Sequence, residues 1–435
     1  MAEVLPLRGL HYAPAYASNM AALVTLPFDV ISPAAQEEYY QRHPLNIIRL
    51  ELGKQFPDDT SLNNRYTRAA ALLAEWRLQG VIVQEPQPVF YLYQQRFTVS
   101  GRSYTRLSLL SRVRLEPWDA GIILPHEQTL AKDRSDRLRL LHACAANLSP
   151  IMALYDDPEH TLRAELDKLA AADPDMQFVD NAGEEHRLTR VADPMAMQLI
   201  TAFFAERHLF IADGHHRYET ALVYRDELRE MRKGLKPDDP ANFVLMALIA
   251  FEDPGLVVLP WHRLIHGLNE ATLRHLGERL TSTFTVEPLD PAIDEHKLQA
   301  LLATAGRERA SFVLVLPETT LLISLRPEGA ERMKSIGHSE AWQRLDVAVL
   351  HTLVLGAELG LSDADVMGGD HIGYTRDAQA AIQAVRTGAA QCAVLLNPTP
   401  VADLRKVSLA GDRMPQKSTY FYPKLITGLV LNPLW

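Results

Sequence analysis

The longest uninterrupted apolar run in the sequence, Phe243 to Phe251, is nine residues long. A membrane-spanning helix needs roughly 20 apolar residues, so this run is too short to predict one. It indicates a strand, which we expect to pair with a second strand at Leu256 to Leu259 across Glu252 to Gly255. The first residues, Met1 to Leu10, lack the charged and then apolar pattern of a signal peptide, and we therefore expect a cytosolic protein.

The length and charge of the chain further limit the classes of protein to which it can belong. With 435 residues it exceeds the size at which one hydrophobic core stops growing, which predicts two or three domains. The 44 Lys and Arg residues against 54 Asp and Glu residues give a net charge of -10, which argues against nucleic acid bound on a broad basic face. Cys144 and Cys392 lack CxxC spacing, so we expect neither a disulfide framework nor a zinc ribbon, as in a reducing cytoplasm.

Residue periodicity predicts an α+β fold built on a mixed sheet. Leu62 to Leu78 has apolar residues at helical spacing and is followed by a stop at Gly80. Val89 to Thr98 alternates aromatic and polar residues, and Tyr104 to Val113 returns after the turn Ser100-Gly101, which is typical of a hairpin. Helices and antiparallel strands are therefore expected within one layered unit.

Later segments extend this pattern toward the end of the chain. Ser135 to Ala146 and Asp157 to Ala171 predict helices, the second opened by Asp157-Pro158 in the N-cap and N1 positions. Thr281 to Pro327 predicts strand, helix, strand and strand, and Trp342 to Leu359 predicts one apolar helix. We expect four segments: an N-terminal α+β region (1–150), a region with a possible phosphate-binding turn (151–240), an inserted α+β module (241–340), and a C-terminal α/β region completing the core (341–435).

One strand-to-helix junction carries the most chemistry. Leu209 to Ala212 predicts a strand that runs directly into Asp213-Gly214-His215-His216-Arg217 and then into a helix from Tyr218 to Met231. At such a junction the backbone N–H groups and the helix dipole favour an anion, Gly214 lets the backbone approach it closely, and Arg217 can bind two phosphate oxygens.

The same turn offers acid–base and metal-binding groups. Asp213 could hold Mg²⁺ or take a proton, and His215 or His216 could donate or shuttle one. The alternative is that Asp213 only caps the helix and the histidines face solvent. The GxGxxG, HExxH, GxSxG and EF-hand motifs are absent from the sequence, which leaves this turn as the strongest candidate for a phosphate site.

Other polar residues could complete a site. His126 and Glu127 offer a general acid or a metal ligand, and Arg134 and Arg137, three residues apart, could meet a phosphate from one helix face. The alternative for this segment is a solvated helix start. Lys417, in a polar loop before Tyr420 to Tyr422, could neutralise a transferring phosphoryl group.

Four further residues are candidates for substrate binding. Asp29 could hold a substrate amine or Mg²⁺, or form an ordinary Asx turn. Asn46 and Arg49 flank Ile47-Ile48, so in a strand they would point to opposite faces, and surface solvation is the alternative for both. Arg263 follows Pro260 at the end of an apolar strand and could provide a second anion contact.

The segment Asp213 to Ala221 resembles the phosphate-binding box of the ParB and sulfiredoxin superfamily, in which Gly-x-x-Arg precedes a helix and holds nucleotide phosphates. Free-serine kinases belong to that superfamily, so the resemblance implies a ParB/sulfiredoxin-like core and a bound nucleotide. The whole chain is identified as a member of the family called domain of unknown function 1015. The motifs that carry this resemblance are Pro27 to Ser32, Leu124 to Thr129, Asn147 to Ile151, the Asp213 box, Pro260 to Arg263 and Met414 to Phe421.

Together these residues favour a cytosolic phosphotransferase. A nucleotide such as ATP or ADP would bind at Gly214 to Arg217 with Mg²⁺, and a small hydroxylated acceptor, serine among the candidates, would be deprotonated by Asp213 or Glu127. Two alternatives stay open: a non-catalytic nucleotide-binding regulatory protein, and a metal-dependent phosphoesterase or hydrolase that uses His126, His215 and Asp213. In each case the expected partner is a small phosphorylated molecule, without a membrane partner.

Overall fold

A computed structural model describes residues 1–127, 131–290, 292–369 and 371–435, with residues 131–134, 363, 367 and 368 described by their backbone alone. The strands are β1 (Val4–Leu5), β2 (Leu10–Tyr12), β3 (Ile82–Gln84), β4 (Phe90–Val99), β5 (Arg102–Arg114), β6 (Ile123–Leu124), β7 (Ala146–Asn147), β8 (Ile151–Tyr155), β9 (Met176–Val179), β10 (Glu185–Val191), β11 (Leu209–Asp213), β12 (Phe243–Ala250), β13 (Val257–Leu259), β14 (His262–Ile265), β15 (Phe284–Leu289), β16 (Ser311–Val315), β17 (Thr320–Leu325), β18 (Ile372–Thr375), β19 (Cys392–Leu395), β20 (Tyr420–Tyr422) and β21 (Asn432–Pro433).

The α-helices are α1 (Met20–Leu23), α2 (Pro33–Arg42), α3 (Ile48–Glu51), α4 (Arg65–Leu78), α5 (Ala131–Cys144), α6 (Thr161–Ala170), α7 (Pro194–Phe204), α8 (His215–Met231), α9 (Glu270–Arg274), α10 (Leu276–Leu280), α11 (Glu295–Ala305), α12 (Pro327–Lys334), α13 (Glu340–Gln343), α14 (Asp346–Val349), α15 (Asp363–Gly368), α16 (Ala378–Arg386) and α17 (Val401–Leu409). Within the part of the chain that the structure describes, no helix is both long and apolar enough to span a bilayer.

The chain forms two compact units. The first contains residues 1–125, 129–257 and 423–435, and the second contains residues 126–128 and 258–422. The division into four consecutive segments stays a prediction, although the large sheet of the first unit combines strands from the segments 1–150, 151–240 and 241–340.

The first unit is built on a nine-stranded mixed sheet with the order β6-β11-β8-β12-β5-β4-β10-β9, to which β1 adds beside β5. The pairs β12–β8 and β11–β6 are parallel, whereas the other pairs are antiparallel. The fold is therefore mixed α/β with a large mixed sheet. The predicted hairpin is confirmed as β4 and β5, and the predicted helix at Leu62 to Leu78 is confirmed as α4, which begins after a capping box formed by Asn64 and Thr67.

The long apolar run forms the strand that was predicted, but its predicted pairing is wrong. β12 lies between β8 and β5, while β13 pairs with β20. All eight residues of β12 are buried, including the side chains on both of its faces. Because neither face of the strand is solvated, the usual alternation of polar and apolar residues is absent, and the sequence alone could not identify its neighbours.

The second unit is built on a six-stranded sheet with the order β15-β17-β16-β19-β14-β18. The predicted strand, helix, strand, strand module is present as β15, α11, β16 and β17. These strands share one sheet with β14, β18 and β19, so the six strands form a single layer. The apolar residues of α11 and α16 pack in one buried cluster with those of β16 and β19.

Two predictions about helices are corrected. The single helix predicted at Trp342 to Leu359 is instead α13, α14 and a π-helix at Leu350–Glu358, because Leu345 is extended (φ -67°, ψ 131°) and ends the first turn. The helix predicted to begin at Asp157-Pro158 begins at Thr161, with His160 in the N-cap position. The Asp157 carboxylate still satisfies unpaired backbone groups at the start of this helix, since it accepts hydrogen bonds from the N–H groups of Thr161 and Arg163 at 2.8 Å.

Candidate functional site

The junction between β11 and α8 has the predicted strand, turn and helix. The register of β11 against β8 shifts between Ile211 and Asp213, an irregularity that can redirect the last side chain of a strand. Gly214 follows with φ +94°, a conformation that glycine adopts without strain. A Cβ atom at Gly214 would lie 2.9 Å from the Nε atom of Arg217, so the glycine also makes room for that guanidinium.

Asp213 is the centre of a buried ion cluster. Its Oδ1 atom accepts a hydrogen bond from Lys424 Nζ at 2.5 Å, and its Oδ2 atom accepts one from Arg217 Nη2 at 2.9 Å. Burial alone would raise the pKa of Asp213, but the positive charges of Lys424 and Arg217 outweigh it and hold this pKa well below its ordinary value. Asp213 is therefore a permanent carboxylate near neutral pH, and the alternative interpretation, in which it only caps the helix, is wrong because Gly214 occupies the N-cap position.

Arg217 connects the ion cluster to a small cavity. Its Nη1 atom donates to the backbone carbonyl of Pro150, so the guanidinium bridges the turn before β8 and the end of β11. The cavity, with a volume of about 50 Å³, is also lined by Arg137 of α5, Glu51 and Ser149. Two of the predicted phosphate-binding arginines, from separate helices, therefore border one cavity in the first unit.

Arg137, which lines the same cavity, is nearly fully buried. It donates from Nη1 to the backbone carbonyl of Glu51 at 3.0 Å and from Nε to Asp136 at 2.7 Å. Its guanidinium lies 4.0 Å above the ring of Phe28, and the buried Glu51 carboxylate accepts a hydrogen bond from Ser149 at 3.2 Å. These contacts fix the position of Arg137 as a cation in a largely dry environment.

The two histidines occupy the first turn of α8. His215 is buried and His216 is half-buried, so the alternative interpretation, in which both face solvent, is wrong. The charge of His215 also contributes to the lowered pKa of Asp213, after those of Lys424 and Arg217. With 17 residues, α8 is long enough for its N-terminal dipole to favour an anion at this turn.

A second polar cluster lies in the second unit. His126 is fully buried and its Nε2 atom lies 3.0 Å from Thr419 Oγ1. Glu127 lies next to it, with Oε2 3.9 Å from His126 Nε2 and Oε1 accepting the backbone N–H of Lys417 at 3.3 Å. Two motifs that are about 290 residues apart in the sequence therefore meet here.

Arg263 and Lys417 belong to this second cluster. Arg263 is buried on β14, donates to the backbone carbonyl of Trp261, and lies 5.2 Å from the ring of Tyr374. Burial lowers the pKa of Arg263 to about 10. Lys417 is exposed, with its Nζ atom 5.2 Å from the ring of Trp261, so the cluster offers one buried and one accessible cation.

A protein-family model shows which family the chain belongs to. The model described as "Protein of unknown function (DUF1015)" matches residues 4–348, which is well over half of the sequence. The chain belongs to this family. The matched range of the DUF1015 family includes the turn at Asp213 and the cavity residues, and it ends before Lys417 and Lys424.

Solved structures with distant similarity also exist. They include a conserved hypothetical protein from Pyrococcus furiosus (12% identity, 73% of this chain and 92% of that chain, TM-score 0.33) and a free serine kinase in complex with AMP (14% identity, 74% and 91%, TM-score 0.35). A third is C-terminally truncated SbnI from Staphylococcus aureus (11% identity, 73% and 85%, TM-score 0.35). A search among curated proteins found no match.

The remaining predicted residues lie elsewhere. Asn46 is fully buried, donates to the carbonyls of Ala22 (2.7 Å) and Val24 (3.3 Å), and accepts the N–H of Ile48, which begins α3. The expected strand here and the expected surface solvation of Asn46 are therefore wrong, because the amide organises a helix start.

Arg49 and Asp29 lie in segments other than the Asp213 turn. Arg49 donates to the Tyr40 carbonyl at 3.0 Å and stacks over the Tyr40 ring at 4.4 Å. Asp29 is exposed in a 3-10 turn at Phe28–Val30. The side chain of Arg134 lies outside the described residues, so its predicted phosphate contact stays a prediction.

Lys424 is the site residue that sequence reasoning missed. It follows the Met414 to Phe421 motif by three residues, and it is the one charged residue between Ser418 and Trp435. A single lysine in an otherwise apolar segment indicates a buried charge with a partner, which would have identified it.

Proposed function

We propose that the first unit binds a small phosphorylated ligand at the β11–α8 turn, and that the protein is a phosphotransferase acting on a small hydroxylated metabolite. The observation that carries this proposal is the cavity bordered by Arg137 and Arg217 beside the N-terminus of α8. Arginines bind phosphate oxygens in pairs, and a helix N-terminus adds a positive potential at the same place. In this proposal the unit has a ParB/sulfiredoxin-like core.

Asp213 has a positioning role in this proposal. Its lowered pKa makes it a weak proton acceptor, so it holds Arg217 and Lys424 in place, and it is a poor general base. Phosphoryl transfer tolerates this because its loose transition state needs charge neutralisation and alignment more than a strong base. His126 and Glu127 stay the predicted acid–base pair, in the second unit.

Magnesium fits Asp213 poorly in the described conformation. Both carboxylate oxygens already accept hydrogen bonds from cations, Lys424 and Arg217, and a further cation would face their repulsion. A nucleotide would therefore bring Mg²⁺ on its own phosphates. The neighbouring structures described as free serine kinases contain AMP or ADP, which makes adenine nucleotides and serine the first ligands to test.

The test is phosphorus NMR of the full chain with ATP or ADP and serine. We expect transfer to the acceptor hydroxyl, and we expect Arg217→Ala to reduce turnover by about 100-fold or more, since oriented cations contribute factors of this size. Arg229→Ala is the matched control, because Arg229 lies on the same helix and its side chain is half-exposed and paired with Asp226. Equal loss in both variants, or neither turnover nor nucleotide binding in the wild type, would overturn the proposal.

A second candidate is a nucleotide-binding regulatory protein without catalysis. It is favoured by one observation: Arg217 and Asp213 already satisfy each other, so the turn is stable before any ligand binds. Nucleotide should then stabilise the protein by about 2.7 kcal/mol at 100 times its dissociation constant, without being consumed. A thermal shift without product in the NMR experiment distinguishes this candidate from the phosphotransferase.

A metal-dependent hydrolase is the third candidate. Asp213 and His215 belong to the first unit and His126 to the second. This candidate predicts phosphoester hydrolysis that a chelator abolishes and that depends on Asp213. Hydrolysis that survives both the chelator and Asp213→Asn would exclude it.

A further inference from the structure

The turn between β9 and β10 gathers metal-binding side chains outside the site described above. Asp180 begins the turn, and its Oδ1 atom accepts the N–H groups of Ala182 and Glu184 at 2.9 Å. Gly183 has φ +80° and lets the chain reverse within a few residues. The second oxygen, Oδ2, points toward His186 and lies 3.3 Å from its Nε2 atom. The turn therefore leaves one oxygen of Asp180 facing the histidine.

His186 is held in a fixed orientation. The residue is 1% exposed, and its ring stacks on Phe178 at 4.8 Å and on Tyr93 at 5.9 Å between centroids. Its Nδ1 atom is 2.7 Å from the Tyr93 hydroxyl, whose pKa burial raises well above its ordinary value, so the phenol stays protonated. Among the residues that the structure describes, the buried Nε2 atom has no hydrogen bond of good geometry, and it faces the Asp180 carboxylate. A buried ring nitrogen without such a hydrogen bond, aimed at a carboxylate, is the arrangement of a ligand atom awaiting an ion.

Glu184 completes the group. It is buried, at 8% exposure, and one ligand atom each from Asp180, Glu184 and His186 lies within 4.8 Å of the other two. Two carboxylates this close in a mostly buried turn repel each other, and the charge of Arg106, which interacts with Glu184, is one positive charge against two negative ones. A divalent ion would neutralise both carboxylates at once.

We propose that Asp180, Glu184 and His186 bind a divalent transition-metal ion, with water completing the coordination. One imidazole and two carboxylates form a nitrogen and oxygen set that suits Zn²⁺, whereas Mg²⁺ and Ca²⁺ prefer oxygen ligands throughout. Tyr93 is a positioning residue that orients His186 through Nδ1. The site joins the turn to the edge of the nine-stranded sheet and is independent of the proposed phosphotransferase.

The experiment is calorimetric titration of Zn²⁺ into the untagged full chain after treatment with a chelator, followed by Co²⁺ absorption spectroscopy. We expect one Zn²⁺ at this site, displaced by neither Mg²⁺ nor Ca²⁺. Asp180→Asn and Glu184→Gln should each raise the dissociation constant by at least about 100-fold. Tyr93→Phe should raise it about 10-fold, as for other residues that orient a ligand.

The controls separate metal binding from folding. Asp180→Asn keeps an Oδ1 acceptor for the N–H groups of the turn, so the hairpin is retained, and circular dichroism should match the wild type. Glu185→Gln is the control. The Glu185 carboxylate is paired with Gln177 and Arg96, so its removal should leave the affinity for Zn²⁺ unchanged. Absence of Zn²⁺ binding, or binding that Asp180→Asn and Glu184→Gln leave intact, would overturn the proposal and would leave His186 and Asp180 as an ordinary ion pair.

Discussion

The two units bury charged groups in opposite ways. In the first, Asp213 lies within hydrogen-bond distance of two cations, Arg217 and Lys424, so its negative charge is fully compensated. In the second, Arg263 and His262 are more fully buried than Asp213 and Arg217, but among the described residues neither has a carboxylate within ion-pair distance. Burial therefore accompanies a fully ionised cluster in one unit and a pair of desolvated bases in the other.

The pKa values express this difference. Opposite charges hold the pKa of Asp213 below its usual range. Burial, with a smaller contribution from Arg263, lowers the pKa of His262 to about 4, and its ring accepts the backbone N–H of Leu396 at 3.2 Å. The stability of the first cluster should therefore depend most on whether Asp213 keeps both cations. The stability of the second should depend most on whether His262 is protonated.

The largest expected effect is that of Lys424→Met. Removing this cation leaves Asp213 with one partner in a buried position, which we expect to lower the free energy of unfolding of the first unit by about 3–5 kcal/mol. Hydrogen exchange of the amides of β11 and β8, read by mass spectrometry, measures this unit separately. Lys406→Met, on an exposed ion pair with Asp403, is the control and should change stability by less than about 0.5 kcal/mol.

Acidification tests the second unit. His262 has a lower pKa folded than unfolded, so the unfolded chain binds the proton first, and stability falls as the pH drops from about 6.5 toward 4. We expect a loss of about 2 kcal/mol between pH 7 and pH 5, measured by hydrogen exchange at β14 and β19 after correction for intrinsic rates. His262→Asn keeps an acceptor for Leu396 and should remove this dependence. An equal loss in the first unit would contradict the comparison, because Asp213 loses its contribution only below about pH 4.

Gly214→Ala should have a smaller effect. The left-handed backbone conformation and the displacement of Arg217 both destabilise the variant, by about 1–2 kcal/mol in total. Gly388→Ala is the matched control, since Gly388 has φ +76° and its Cβ would meet no atom within 4 Å. The difference between the two variants in chemical denaturation isolates the cost of moving Arg217. Equal values would mean that the guanidinium moves freely.

The smallest expected effect is that of Arg263→Met. Among the described residues no carboxylate lies within ion-pair distance of this buried guanidinium, so it gains little from its charge, and an apolar side chain of similar volume should change stability by no more than about 1 kcal/mol. A loss as large as that of Lys424→Met would show that Arg263 has a strong partner after all. Thermal unfolding of the full chain, compared with Arg405→Met, measures the effect.

Sequence reasoning predicted the features that depend on neighbouring residues. The order of strand, turn and helix at Asp213 follows from local hydrophobic patterning and one glycine, and so does the β4–β5 hairpin. The groups expected at this turn as acid and base, Asp213, His215 and His216, stay predictions, and the lowered pKa of Asp213 makes it a weak proton acceptor. Of the two cations that lower this pKa, Arg217 is local, but Lys424, with the larger contribution, lies 211 residues away in the sequence.

The features that could not be predicted depend on long-range contacts. The lysine beside Asp213 is supplied by the end of the chain, and the neighbours of β12 come from residues 102–114 and 151–155. His126 and Thr419 likewise meet from opposite ends of the sequence. Such pairings are decided by how apolar faces pack against one another, and a uniformly apolar strand such as β12 fits several partners equally well.

The return of the chain to the first unit has a consequence for synthesis on the ribosome. Lys424 follows Asp213 by 211 residues, with residues 258–422 of the second unit between them. At about 5–20 residues per second, the lysine is translated on the order of 10–40 s after the aspartate. During this interval the nascent chain contains Asp213 and Arg217, but Lys424 has not yet been added. A product that terminates early never gains it, so sensitivity of the β11–α8 turn to proteases should distinguish truncated chains from complete ones.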